Sequence, residues 1–351
     1  MDFNKVLFIG LGGAGQRHLR IFKDLLPRNT EFFCYRHTEK TPLLNQNFTV
    51  KSSRAINVEY GLRQFKSLEE AFSSKPDLAI ISTPSARHLE PMQMAAKAGC
   101  GVFVEKPWSD SLKGFKKFKS EIESRNLPFY ISFQRRHHPH FQKIQKLISS
   151  GSLGQIINAV FNVASYVPNW HLYENFKELY AVRSDLGGGV LLTEIHEIDL
   201  ANWWFGEASE VFCAGGTFGN KDIDVEDTAH ITIRYPSFDA QINLCFMQRR
   251  NHRNIFIGGD LGCIEWSQEE NRMVHEDYKS GKISDVTLPA FKMDDMFVRQ
   301  AQHFIFDHGA VSTQNQIYAA YWSQLIVQCA KKSMAEGRFV QVIGDDFHSS
   351  N

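Results

Sequence analysis

The chain has no long apolar run, no paired cysteine spacing, no excess of charge and no internal repeat, and each absence removes a class of protein. Across its 351 residues no stretch approaches the ~20 apolar residues that cross a bilayer, so no transmembrane helix is expected. Lys and Arg total 39, as do Asp and Glu. A formal charge of zero provides no global field for nucleic acid or an anionic membrane, so the expected partner is a small molecule. The six cysteines (34, 100, 213, 245, 263 and 329) form no CxxC and lie mostly in apolar contexts, which suits reduced, buried thiols better than disulfides or zinc. No metal is expected. The first residues run directly into a strand-like segment without the charged, apolar and cleavage regions of a signal peptide; the expected location is the cytoplasm.

What remains is a globular composition, 43% hydrophobic with 28 Phe, and a length that favours two domains. Val6-Leu7-Phe8-Ile9 is an uninterrupted apolar run, as in a parallel strand covered on both faces. It leads into Gly10-Leu11-Gly12-Gly13-Ala14-Gly15, and residues 16–26 then read as a helix with Leu19, Phe22, Leu25 and Leu26 on one side. Strand, GxGxxG and helix in that order form the dinucleotide-binding pattern. The glycines allow the tight turn, the approach of a pyrophosphate and close helix–strand contact, and the helix N-terminus offers N–H groups to the anion.

The second strand, 31–35, ends at Tyr35-Arg36 and not at the acidic residue that would bind a ribose 2′-hydroxyl. Arg36 is suited to pair with a 2′-phosphate or stack on adenine, so the cofactor reading is NAD(P), leaning to NADP, with Glu39 as a rival for the acidic role. A short helix N-capped by Ser67, with Glu70 as its capping-box partner, precedes a buried strand over 78–82. That strand ends at Thr83-Pro84, with His88 following. Next comes Gly101-Val102-Phe103-Val104-Glu105-Lys106-Pro107, a strand that delivers a carboxylate and an amine to its carboxyl end, where open parallel sheets bind ligands. A helix over 112–124 and a strand over 128–133 complete a doubly wound sheet.

At Gln134-Arg135-Arg136-His137-His138-Pro139 the chain changes character. A helix is expected over 141–148, then alternating segments at 156–166, 228–235, 240–247 and 255–257, a turn at 258–262 and a strand at 263–266. Period-two alternation indicates half-buried antiparallel strands. The fold class is therefore α/β followed by α+β: a Rossmann domain with a doubly wound parallel sheet over 1–133, and a substrate domain with a large, open, mostly antiparallel sheet over 134–351. A final helix over 317–336 is expected to end at Gly337.

Between the first two alternating segments lies Tyr166-Val167-Pro168-Asn169-Trp170-His171, continuing through Tyr180 and Arg183 to Gly187-Gly188-Gly189 and then Thr193-Glu194-Ile195-His196-Glu197-Ile198-Asp199. Three successive glycines allow another backbone or a cofactor to come close, and a helix after them would put His196 and Asp199 on one face. Aromatic, amide and imidazole groups gathered in one region are also how polyhydroxylated ligands are held.

GLGGAG, STPSARH, VFVEKP, QRRHHP, GGGVLLTEIHEID and IFIGGDLGCIEW, in this order, resemble the Gfo/Idh/MocA oxidoreductases, the glucose–fructose oxidoreductase and inositol dehydrogenase family. The segment SYVPNWHLYENFKELYAVRSDLGGG resembles a branch linked with surface-sugar and nonulosonate pathways. The resemblance implies a nicotinamide cofactor held by Gly10, Gly12, Gly13, Ala14 and Gly15, with Arg36, Thr83, Pro84, His88, Glu105, Lys106, Pro107 and Gln134 along its cleft. It also implies Lys106 on the reacting oxygen and His196 as acid/base partner, with Tyr166, Trp170, His171, Arg183, Glu194 and Asp199 on the substrate side. Many members carry an Asp four residues before that His; here the position is Leu192, or Thr193 with a shorter spacing, leaving Glu194, Glu197 or Asp199 to take its part.

The implied reaction is hydride transfer between nicotinamide and a CH–OH or C=O carbon of a nucleotide sugar, nonulosonate or polyol, in a homodimer or homotetramer joined through the C-terminal sheet. The alternatives are a redox-neutral cycle driving elimination, epimerisation or glycoside hydrolysis, and a non-catalytic NAD(P) sensor. The joint presence of Lys106 and His196 argues against the last.

Overall fold

The computed structural model describes residues 3–219, 222–307, 312–344 and 347. The chain divides into two compact units, one formed by Met1–Ser132, His171–Glu174 and Phe297–Tyr321, the other by Phe133–Trp170, Asn175–Met296 and Trp322–Asn351.

In the first unit the strands are β1 (Lys5–Ile9), β2 (Glu31–Tyr35), β3 (Leu43–Leu44), β4 (Val50–Ser52), β5 (Arg63–Phe65), β6 (Leu78–Ile81), β7 (Gly101–Glu105) and β8 (Phe129–Ser132). Six of them form one parallel sheet in the order β5-β2-β1-β6-β7-β8, and β3 pairs with β4 apart from it. The helices are α1 (Gly13–Leu25), α2 (Ile56–Tyr60), α3 (Leu68–Ser73), α4 (Leu89–Lys97) and α5 (Phe115–Ser124). Every residue of β6, β7 and β8 is buried, which is why these strands read as continuous apolar runs and show no alternation.

An aromatic chain runs through the core of this unit. Phe22 of α1 meets Phe103 of β7 at 5.3 Å between ring centroids, Phe103 stacks on Tyr130 of β8 at 5.2 Å, and Phe304 closes on Phe103 and Tyr130 at 5.5 Å each. Each such ring contributes roughly 1.5–3 kcal/mol by its burial. This contact draws 297–321 into the first unit although those residues follow the second unit's strands in sequence.

Local signals act where expected. Ser67 accepts the N–H of Glu70 at 3.1 Å, while the Glu70 carboxylate reaches back to the N–H of Lys66. Helix α5 begins three residues later than expected, because Gly114 adopts φ +80° and only then releases the chain into helical geometry.

The second unit holds α6 (Pro139–Ser149), β9 (Ile156–Tyr166), α7 (Val190–Thr193), α8 (His196–Phe205), β10 (Glu210–Gly216), β11 (Thr228–Arg234), β12 (Asp239–Cys245), β13 (Met247–Gly259), β14 (Gly262–Ser267), β15 (Arg272–Asp277) and β16 (Lys282–Thr287). Helices α9 (Asp295–Phe306) and α10 (Thr313–Glu336) each contribute residues to both units, and β17 (Val340–Gln341) follows. Nine strands form one sheet in the order β16-β15-β14-β13-β9-β12-β11-β10-β17, antiparallel throughout except for the parallel pair β9–β12. Strand β13 extends through the glycines at 258 and 259, so its turn to β14 is shorter than expected. Gly337 closes α10 at φ +66°. No helix among the described residues is long and apolar enough to cross a membrane, and the six cysteines are free thiols.

Candidate active site

The glycines after β1 have different reasons to be glycine. Gly10 has φ +88°, and a Cβ there would lie 2.8 Å from the Ser82 carbonyl oxygen. A Cβ on Gly15 would lie 2.3 Å from the Gly10 oxygen and 2.6 Å from Ser82 Oγ, so the approach of helix to strand forbids it. Gly12 has no such neighbour: nothing lies within 4 Å of a Cβ built there, so the fold itself leaves room for a side chain where the dinucleotide pattern needs bare backbone for a ligand. The N-terminus of α1 has no side-chain cap and no acidic residue in its first turn. Its N–H groups and positive dipole end suit an anion. Gly12, Gly13, Ala14 and Gly15 therefore fit a dinucleotide pyrophosphate.

Around this loop the fold places groups that no motif marks. Beside Gly13 are the Phe48 ring, 3.0 Å from a built Cβ, and the Tyr173 hydroxyl at 3.4 Å. The Arg17 guanidinium lies 4.5 Å from the centroid of Phe48 and 4.2 Å from that of Phe297. His171 stacks on Tyr173 and tilts against Phe48, so it sits with the glycine loop of the first unit, whereas Trp170 beside it meets Phe246 in the second. These neighbours come from chain segments far apart in sequence, which is why spacing could not reveal them.

At the end of β2, half-buried Arg36 donates to the Thr41 carbonyl oxygen at 3.0 Å. After β6, Thr83 Oγ1 donates to the Arg87 carbonyl at 3.0 Å. His88 is 1% exposed, with Nε2 2.8 Å from the Thr83 oxygen and Nδ1 2.9 Å from the Pro107 oxygen. It joins the loop after β6 to the turn after β7 from within the core. Burial pulls its pKa below the usual imidazole value, against the two carbonyls that favour the charged ring.

The turn after β7 is tightly connected. Glu105 Oε1 lies 2.6 Å from His18 Nε2 and accepts Ser132 Oγ at 3.3 Å, while Oε2 accepts the Lys106 backbone N–H at 3.2 Å. Ser132 Oγ in turn accepts Gln300 Nε2 at 3.0 Å. Burial alone would raise the Glu105 pKa. The His18 hydrogen bond, with the charges of His18, Lys106 and Arg17, outweighs it and holds the carboxyl below its usual range. The peptide bond between Lys106 and Pro107 is cis.

In the second unit the three glycines serve the chain itself. A Cβ on Gly188 would lie 2.4 Å from the Tyr180 oxygen, and one on Gly189, at φ +105°, 2.3 Å from the Glu226 carboxylate. That carboxylate accepts the Leu191 N–H at 3.2 Å, capping α7. The close partner is backbone and carboxylate of this unit. Helix α8 then docks on the 3₁₀ turn Gln134–His137: Gln134 Nε2 lies 3.2 Å from His196 Nε2, and Arg136 forms a bidentate pair with Asp199 at 2.9 and 2.7 Å. Gln134, expected along the cofactor, thus meets the imidazole of His196.

The same unit matches the description of the GFO/IDH/MocA C-terminal domain over residues 141–265, and the first matches that of an oxidoreductase family with an NAD-binding Rossmann fold over 4–133. The chain belongs to the Gfo/Idh/MocA oxidoreductases. Among family relatives, D-apiose dehydrogenase of Paraburkholderia graminis is 22% identical over 77% of this chain and 69% of its own length. The oxidoreductase YrbE of Bacillus subtilis is 28% identical over 45% of each chain, and myo-inositol 2-dehydrogenase of Thermotoga maritima 27% identical over 46% and 47%. The chain thus spans about half the length of several curated relatives it matches. Levoglucosan dehydrogenase in complex with NADH and L-sorbose shares the fold at TM-score 0.79 and 18% identity, over 98% of this chain and 100% of the other.

Against the family pattern, the missing Asp leaves Leu192 and Thr193, both buried. The three acidic residues nearby are engaged with arginines. Glu194 pairs with Arg253, Glu197 lies 3.5 Å from Arg253 Nε, and Asp199 pairs with Arg136 and receives Ser323 Oγ at 3.4 Å. Of the other expected substrate residues, Tyr166 lies under the Arg249 guanidinium at 5.4 Å, and Arg183 forms an exposed pair with Asp185.

Proposed function

We propose that this chain is an NAD(P)-dependent dehydrogenase or reductase acting on a CH–OH or C=O carbon of a sugar derivative. The observation that carries the reading is one of topology. The uncapped, glycine-bounded start of α1 follows β1, and Lys106 follows β7; both leave the carboxyl edge of one parallel sheet with only β6 between them. Neighbouring strands are about 4.8 Å apart, so an extended dinucleotide lying on that edge spans both points, passing Thr83 and Pro84 at the end of β6.

A bound nicotinamide would accept or donate the hydride at C4. The ammonium of Lys106 would hydrogen-bond the reacting oxygen and stabilise the negative charge that develops there when the C–H bond breaks. The hydroxyl proton must leave the same oxygen, and His196 is assigned to carry it, its imidazole oriented by Gln134. Glu194, Glu197 and Asp199, held by Arg253 and Arg136, orient the start of α8. Polyols and sugar lactols are the favoured substrates, since the dehydrogenase relatives are named for such compounds; nucleotide sugars and nonulosonates are the finer alternative. Assembly through the nine-stranded sheet and a cytoplasmic location belong to the same proposal.

Lys106→Met should abolish turnover, at least about a thousandfold, with NADH affinity nearly unchanged. Product formation with a polyol panel and absorbance change near about 340 nm should proceed together. Turnover unaffected by the substitution would remove Lys106 from the chemistry, and product without net absorbance change would favour a redox-neutral cycle. The lean to NADP rests on Arg36: Arg36→Ala should weaken NADPH about tenfold more than NADH, and equal losses would turn the lean to NAD.

A further inference from the structure

His18 lies three residues beyond the last glycine of the loop, on the face of α1 that also buries Gly15, Leu19 and Phe22. It is fully buried, with the rings of Phe103 at 5.2 Å and Phe297 at 6.0 Å meeting it edge-on. Its Nε2 meets Glu105 Oε1 at 2.6 Å, at the short end of N–H···O hydrogen bonds. The second oxygen of the same carboxylate receives the backbone N–H of Lys106 at 3.2 Å, and Ser132 and Gln300 complete the support from β8 and α9.

Two elements are thereby linked through one carboxylate. One is the helix whose N-terminus fits the pyrophosphate; the other is the strand end that presents Lys106. We propose that His18 and Glu105 form a positioning pair for Lys106: His18 fixes the Glu105 carboxylate, which fixes the Lys106 backbone and hence the place where its amine stands against bound cofactor. Neither residue need touch a reacting atom. The groups facing the pair are Lys106, Arg17, Ser132, Gln300 and the rings of Phe103 and Phe297.

This inference rests on the reading that Lys106 borders the nicotinamide, and the experiment separates the two without requiring a substrate. Surface lysines are acetylated with acetic anhydride, and the rate at Lys106 is followed by mass spectrometry with and without saturating NAD+, with NADH affinity measured by fluorescence. In the unsubstituted protein, bound NAD+ should slow acetylation of Lys106 at least about fivefold. Absence of that protection would overturn the reading of Lys106 itself.

With protection established, His18→Leu and His18→Asn should reduce it below about twofold while NADH affinity stays within about threefold. His18→Gln should retain it, because a glutamine amide places its donor where Nε2 stands, whereas asparagine places one nearer Nδ1. Glu105→Gln, which keeps the side-chain volume, should also lose protection and serves if the His18 variants fail to fold. Full protection in His18→Leu, His18→Asn and Glu105→Gln would overturn the positioning role. So would losses that follow thermal stability whatever the position of the donor.

Discussion

Glu105 in the first unit and Asp199 in the second are both buried carboxylates beside a basic side chain, and their acidities move in opposite directions. Around Glu105 the His18 hydrogen bond and the charges of His18, Lys106 and Arg17 outweigh burial, and the carboxyl is held below its usual range. Asp199 is 0% exposed, and there burial outweighs Arg136 and Ser323 together, so its pKa rises. The difference lies in the number of positive groups gathered around each anion. A buried carboxylate with several cationic neighbours at a strand end marks a candidate functional site. One with a single bidentate partner between a helix and a turn is a structural tie.

Breaking the tie should produce the largest effect. Arg136→Met leaves Asp199 buried and uncompensated, which should cost about 3–5 kcal/mol of folding free energy at neutral pH, measured by denaturant unfolding. Adding Asp199→Asn should recover most of the loss, and acidification should reduce it, since the raised pKa lets Asp199 take up a proton before the unfolded chain does. A cost under about 1 kcal/mol would class the pair with screened surface bridges and erase the contrast.

Glu105→Gln tests the other side with a smaller change, about 1–3 kcal/mol at neutral pH. The lowered pKa means that the stability contributed by ionised Glu105 is fully present above the unfolded value of 4.5 and is lost as the pH falls through the lower folded value. The unfolding free energies of the two proteins should therefore converge in acid. Curves that stay parallel through that range would show that Glu105 holds its proton equally in the folded and unfolded chain, and that the surrounding charges do not shift it.

Much of the first unit could be read from the chain because its signals are local. The apolar runs of β1, β6 and β7, the glycine loop and the Ser67 cap each depend on residues within a few positions of one another. His18 lies within the same segment as the glycine loop, yet its importance rests on Glu105, 87 residues away, and no spacing rule spans that distance. Strand β10 carries Phe212 and Ala214 on its less buried positions, β15 buries only Met273 and β16 buries no residue, so alternation is blurred there, and the weight of α9 lies in Phe304, which completes an aromatic core built from distant segments. The three glycines before α7 left two readings open, a backbone or a cofactor coming close, and the contacts of Gly188 and Gly189 favour the first. The roles of Glu194, Glu197 and Asp199 were open for a related reason: helical spacing shows which residues share a face, while only the fold brings Arg253 and Arg136 to them.

His88 offers a finer test of how burial and hydrogen bonding compete. Both its nitrogens face carbonyl oxygens, at 2.8 and 2.9 Å, and a neutral imidazole has a single N–H to give, so these contacts alone would favour the charged ring. Burial prevails and holds the folded value below 6.5. As the pH falls past 6.5 the unfolded chain takes up a proton that the folded chain refuses, so stability should decline by up to ~1.4 kcal/mol per pH unit until the folded value is reached. His140 and His275 are displaced in the same direction by partial burial, so the slope belongs to all three. His88→Gln should make the decline shallower by its own share and leave the rest. An unchanged slope would mean that His88 is already charged in the fold and that its two carbonyls, not its burial, decide its state.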